Sequence, residues 1–322
     1  MENKLRFILG ASGSGKSEIL FRELIDKAMD NPNKNYIILV PEQFTLETQK
    51  KVVTMHKCGA VANIDIVSFN RLSFRVFEEF GIGNPDILDD TGKSLILRKV
   101  IASESRNLNI YRDKVHMHGF VEEMKSVISE LYMYGIGLEK YKEIKEQVKG
   151  NRLVTEKLND IEVIYQGFHQ YIQDKYITKE ELLDRFCQAV PDSKIIRESE
   201  LYFDGFTGFT PVQNRLIHLF LQYSKGITIT VTTGRETLED MKAGIKQGVI
   251  PVSEEELFKM SKETINTILN LYIEVFGKEG LEDICKHSIF TGTEMAGRFQ
   301  DNPVLEFLEK NLFRGNGKKK KN

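Results

Sequence analysis

Short apolar runs alternate with stretches of helical spacing near both ends of this chain, whereas helical spacing alone persists through its middle. Leu5-Arg6-Phe7-Ile8-Leu9 is a run suited to a buried strand, and residues 18–25, EILFRELI, place apolar side chains at helical intervals. Asn31-Pro32-Asn33 reads as a turn, after which residues 35–40 form a second strand ending at Pro41. Strand, helix and strand in this order imply a right-handed crossover and a parallel sheet. A further helix opens at Glu42-Gln43-Phe44-Thr45 and runs toward Met55. A third strand over residues 64–67 leads through Ser68-Phe69-Asn70 into a helix over 71–77.

The alternation stops at residues 81–90, where Gly83, Pro85 and three aspartates intervene. From 91 to 190 the spacing predicts helices over 94–101, 120–134, 139–148, 153–176 and 179–189, with no strand between them. Such a block inside an alternating pattern reads as an all-helical insertion. Pro191-Asp192-Ser193 marks the return, followed by a strand over 201–204, a helix over 211–223 and a strand over 227–232. Helices are then expected over 254–276 and 303–313. The expected division is a sheet domain in two parts, 1–90 and 196–245, a helical insertion over 91–195, and a helical segment over 246–322 with a basic tail from 314. The predicted class is α/β with a parallel sheet.

One stretch carries recognisable chemistry. Gly10, Ala11, Ser12, Gly13, Ser14, Gly15, Lys16 and Ser17 satisfy G-x-x-x-x-G-K-[ST] at a strand-to-helix turn, the context this motif requires. Glycines at 10, 13 and 15 let successive N–H groups turn toward a polyphosphate, and the helix N-terminus adds favourable partial charge. Lys16 is expected to reach the outer phosphates of ATP, and the Ser17 hydroxyl to ligate Mg²⁺. Mg²⁺ also calls for an acid at the end of an apolar strand, which Asp204 in LYFDGF supplies. Asp204 is therefore the candidate catalytic and metal-holding acid. Gly205 follows it, where many motor ATPases carry a glutamate that polarises water, and glycine has no group for that task.

Composition narrows the class without naming a chemistry. The 322 residues suggest about two domains, and 41% hydrophobic with 29% charged residues is ordinary for a globular chain. A net charge of −2 gives no global attraction to nucleic acid, so such contacts would be local or supplied by a partner. Cys58, Cys187 and Cys285 lie far apart and form neither a metal motif nor a disulfide framework. The N-terminal apolar run is too short for a signal peptide or a spanning helix, so no membrane association and a cytoplasmic location are expected.

The succession GASGSGKS, YIILVPEQFT, DIVSFNRLSFRVF, a helical insertion and YFDGFTGFTPVQNRLIHLF resembles the first RecA-like half of superfamily 1 helicases of the UvrD/RecB type. Its wording is closer still to the AddB/RexB chains of bacterial AddAB-type helicase-nucleases. That resemblance implies a P-loop NTPase (RecA-like) sheet domain over 5–90 and 200–234, with the helical block as a 1B-like subdomain. It also implies ATP and Mg²⁺ as cofactors, and DNA contacts at Phe44, Thr45, Ser68 and Phe69. For the two phenylalanines, core packing is the other reading. The implied partners are DNA and an AddA-type motor/nuclease subunit in a heterodimer that processes double-strand ends. Several departures accompany the match. Only nine residues precede Gly10, leaving no room for an adenine-recognition motif. TVTTGRE at 230–236 lacks a γ-phosphate-sensing glutamine, and Gly205 replaces the general base. The second RecA-like half with its arginine finger, the nuclease carboxylates and the iron–sulfur cysteines of relatives would lie beyond this sequence. An N-terminal portion that binds ATP but hydrolyses it poorly is thus expected. Two other readings stay open: a small P-loop kinase whose helical block is a lid bearing Arg98, Arg106 or Arg112, and a non-catalytic interaction module with a relic P-loop.

Overall fold

The strands are β1 (Leu5–Gly10), β2 (Asn35–Leu39), β3 (Ile64–Val67), β4 (Ser199–Phe203), β5 (Gly226–Thr232) and β6 (Ile289–Thr291). They form one sheet in the order β3-β2-β4-β5-β1-β6, with every neighbouring pair parallel. The computed structural model describes residues 4–291 and 304, apart from 57–58, 60–61, 84–85, 149, 174, 235–237 and 254–257. All five expected strands are present, and the α/β class with a parallel sheet holds. β6 is an addition that the sequence pattern does not announce: three residues, recruited by pairing with β1 at Ile8↔Ile289, Leu9↔Phe290 and Gly10↔Thr291.

The central strands read as unbroken apolar runs because parallel sheets are covered on both faces. Leu5, Phe7, Ile8 and Leu9 of β1 have no exposed surface. The helix Lys16–Asp30 lays Leu20, Phe21, Leu24, Ile25 and Ala28 against Ile8, Ile38 and Ile66 on one sheet face. Each of the leucine, isoleucine and phenylalanine side chains contributes about 1.5–3 kcal/mol on full burial, so the helix that follows the glycine-rich loop is firmly seated.

The chain forms two compact units. The first comprises Met1–Phe69, Asp192–Phe209 and Ile217–Asn322 and holds the sheet; the second comprises Asn70–Pro191 and Thr210–Leu216. In the second, Leu97, Ile101, Leu108, Phe120, Ile164 and Phe168 form a buried core between helices. The helices of this unit include Asp90–Glu104, His118–Met133, Leu138–Gln147, Arg152–Ile172 and Lys179–Ala189. Local chemistry starts three of them. Asp89 caps through Gly92 N, Asn151 through Val154 N, and Thr178 with Glu181 forms a reciprocal capping box. Described residues within 91–190 add no strand to the sheet; Ile177 makes only an isolated bridge to Ile87.

Past β5 the helices are Leu238–Gln247, Lys259–Phe276 and Leu281–His287. The helix expected from 254 therefore starts later, at Lys259, with residues 254–257 outside the described residues. The expected helix over 303–313 (save residue 304), the basic tail, Cys58, Arg235 and Glu236 also lie outside them. Cys187 and Cys285 are free and buried, and burial pushes the Cys187 thiol up to about 11. Among the described residues no helix is long and apolar enough to cross a membrane.

Candidate functional site

The site begins where β1 ends. Ser14 N donates to Ala11 O at 3.2 Å, which curls the chain back on itself. Gly13 and Gly15 sit at φ 75° and 81°, in the left-handed region that L side chains rarely enter. Gly15 is the N-cap of the helix that Lys16 opens, so the amides of the first turn, which have no intrahelical partners, are delivered to the loop. Ser12 and Gly13 form the exposed tip.

Lys16 is nearly buried, at 8% exposure, and its Nζ donates to Ala11 O at 2.7 Å. Burial holds its pKa below the ordinary lysine value, and the nearby Asp204 charge opposes that shift. A cation kept partly desolvated in this way gains from an anion placed beside it.

Sheet order completes the constellation. β5 lies between β4 and β1, so a residue near the end of β5 stands between the acid that follows β4 and the loop that follows β1. Thr230 occupies that place. Its Oγ1 donates to Asp204 Oδ1 at 2.6 Å, and Ser17 Oγ donates to the same oxygen at 2.9 Å. Asp204 N is held by Leu39 O at 3.0 Å. Lys16, Ser17 and Asp204, separated by 187 positions between the last two, thus meet at the carboxyl edge of the sheet. Gly205 takes φ 78°, so the chain leaves the acid through a conformation that suits glycine.

The donor set fits a small hard cation. Hydroxyl and carboxylate oxygens are what Mg²⁺ prefers, and their 2.9 Å separation matches adjacent ligands on an octahedron with bonds of about 2.1 Å. Among the described residues no group of three or more His, Cys, Asp or Glu side chains is arranged to hold a metal ion. A single carboxylate is compatible with Mg²⁺, which usually takes one or two carboxylates and fills its shell with water and substrate phosphates.

The residues expected to face DNA are less uniform. Phe44 is 41% exposed and Leu46 beside it 63%. Thr45 is buried and closes a turn by donating to Glu42 O at 2.8 Å. Ser68 and Phe69 are buried as well, and the Phe69 ring packs at 6.0 Å from Phe203 and 5.7 Å from Phe206. Of the four, only Phe44 presents a substantial surface. Two site residues carry no such expectation from sequence: Thr230, and Thr291 of β6, whose Oγ1 lies 2.6 Å from Ser14 Oγ. The alternating threonines 228, 230 and 232 are a signal for the first; the second has none nearby in sequence.

Residues 7–309 match the family model described as ADDB, N-terminal. A protein of Lachnoclostridium phytofermentans, named as the B subunit of an ATP-dependent helicase/deoxyribonuclease, is 41% identical over 313 residues, covering 96% of this chain and 26% of that protein. Proteins of the same name from Clostridium tetani and Thermoanaerobacter sp. (strain X514) are 29% and 28% identical over 312 residues each, again across 96% of this chain. The chain spans about a quarter of the length of these relatives. With the family model reaching across most of the sheet-bearing unit and all of the helical one, the chain belongs to the AddB N-terminal family.

Proposed function

We propose that this chain is the helicase-like, ATP-binding portion of an AddB-type component of a DNA end-processing helicase-nuclease, with a P-loop NTPase core of RecA type. The observation that carries the reading is the convergence of Ser17, Thr230 and Asp204 on one carboxylate oxygen, beside the buried Lys16 and the glycine loop. In this reading the loop amides and Lys16 bind the polyphosphate, while Ser17 and Asp204 hold Mg²⁺ and Thr230 orients the acid. The metal, when bound, neutralises phosphate charge. Hydrolysis is slow because the residue after the acid is Gly205, which offers no group to orient a water.

The names of the relatives supply the wider setting: one subunit of a helicase and deoxyribonuclease, and hence a complex acting on DNA. We place DNA against the exposed Phe44, whose ring can stack on a base, with Leu46 beside it. Phe69 is buried against Phe203 and Phe206 and is given no DNA contact in this reading. An AddA-type partner supplies most of the motor power.

Equilibrium titration with a fluorescent ATP analogue and Mg²⁺, set beside steady-state turnover of the same sample, tests the reading. Binding is expected, with turnover far below motor rates. Lys16→Ala should weaken binding by about 10- to 100-fold, the loss of a charge-assisted contact worth roughly 1.5–3 kcal/mol. Equal binding by the wild type and the variant would end the proposal.

A further inference from the structure

β6 does more than extend the sheet. Its last residue, Thr291, is buried at 8% exposure, and its Oγ1 donates to Leu9 O at 3.2 Å while lying 2.6 Å from Ser14 Oγ. A hydroxyl has one proton to give. With that proton on Leu9 O, the Ser14 hydroxyl is the donor to Thr291. In that arrangement the Ser14 proton faces the strand. Gly10 lies between these groups, and no side chain fits there: a Cβ would stand 2.0 Å from Thr291 Oγ1, 2.5 Å from Ser14 Oγ and 2.7 Å from Thr291 O. The end of β1, the middle of the loop and the end of β6 interlock around a glycine that permits the approach.

We infer that Thr291 is a positioning residue for the phosphate loop. It sets the curvature of residues 11–16 through Ser14, which acts as a strut within the loop and not as a phosphate ligand. The inference rests on the nucleotide-binding reading of the loop and goes beyond it, since it makes the loop's shape depend on a strand 277 positions away. An unsupported loop samples other conformations, and the affinity for polyphosphate falls by the fraction of time the binding shape is lost.

The 322-residue chain is compared with Thr291→Val, which keeps the shape and removes the hydroxyl, and with Thr291→Ser, which keeps the hydroxyl. Thr291→Val should bind the ATP analogue about three- to tenfold more weakly, the size expected for one neutral hydrogen bond. Amides of residues 11–16 should exchange hydrogen faster, while those of β4 stay unchanged. Thr291→Ser should restore both properties. Ser14→Ala should give a similar loss, and the double variant no further loss, because both changes remove one link. Additive losses, or valine and serine variants that behave alike, would overturn the inference. A wild type that binds no better than Lys16→Ala would overturn the site reading and this inference together. A wild type that binds, with a valine variant that binds equally, would overturn this inference alone.

Discussion

Two buried aspartates, one in each unit, separate a site from a scaffold. Asp160 in the helical unit is 1% exposed, and its carboxylate accepts three backbone N–H groups, from Asn109, Ile110 and Tyr111, each at 2.8 Å. Asp204 in the sheet unit is 8% exposed and accepts two side-chain hydroxyls, from Ser17 and Thr230, both on Oδ1. Backbone amides have no other partner to turn to, so Asp160 is committed to holding the irregular segment after Leu108. Hydroxyls swivel and can themselves ligate a cation, so the groups around Asp204 can be re-employed when a ligand arrives. Burial of an acid therefore carries little functional information by itself. The nature of its donors carries much more.

Replacing each acid by asparagine is the sharpest way to break this contrast. In Asp160→Asn one end of the side chain becomes an NH₂ group facing a backbone N–H, whichever way the amide is turned. A stability loss of about 2–4 kcal/mol is expected, from one orphaned N–H and weaker remaining bonds. Urea unfolding reads it, and nucleotide affinity should not change. In Asp204→Asn the remaining oxygen can still accept from both Ser17 and Thr230, so stability should move by less than about 1 kcal/mol. The Mg²⁺-dependent part of nucleotide binding should instead fall about tenfold, roughly 1.4 kcal/mol, as read by titration with and without Mg²⁺. A smaller effect is expected at Gly205. A Cβ there meets Phe44 and Pro41 only at 3.6 Å, an ordinary contact, so Gly205→Ala costs the strain of a positive φ alone, about 1 kcal/mol. ATP turnover should be unaltered, and a clear rise or fall would mean that the residue after the acid takes part in the chemistry.

Much of this was legible in the residues. Five strands announced themselves because each is an apolar run bounded by turn residues, and the loop announced itself because its glycines and lysine keep a fixed spacing. Asp204 could be picked out as an acid ending such a run. Thr230 was harder, since Thr228, Thr230 and Thr232 share one alternation and only the neighbouring strand decides which of them meets Asp204. Thr291 and Asp160 were out of reach: the first belongs to a strand that exists through its pairing with β1, the second reads as one more polar position on the helix Arg152–Ile172. Phe44 and Phe69 admitted the same two readings. Packing against Phe203 and Phe206 drew Phe69 inward, a difference that local sequence does not encode.

The strand order has a consequence for how the protein is made. Of the six described strands β1 is synthesised before the others, yet its two neighbours, β5 and β6, follow all the rest. At roughly 5–20 residues per second, the nascent chain carries β1 with both edges unpaired for about 10–40 s. Throughout that interval the loop motif is already synthesised, but neither Thr230, which bonds Asp204, nor Thr291, which bonds Ser14, exists. In the nucleotide-binding reading proposed above, nucleotide is no early folding template for this unit; the complete site forms only when the sheet closes around β1.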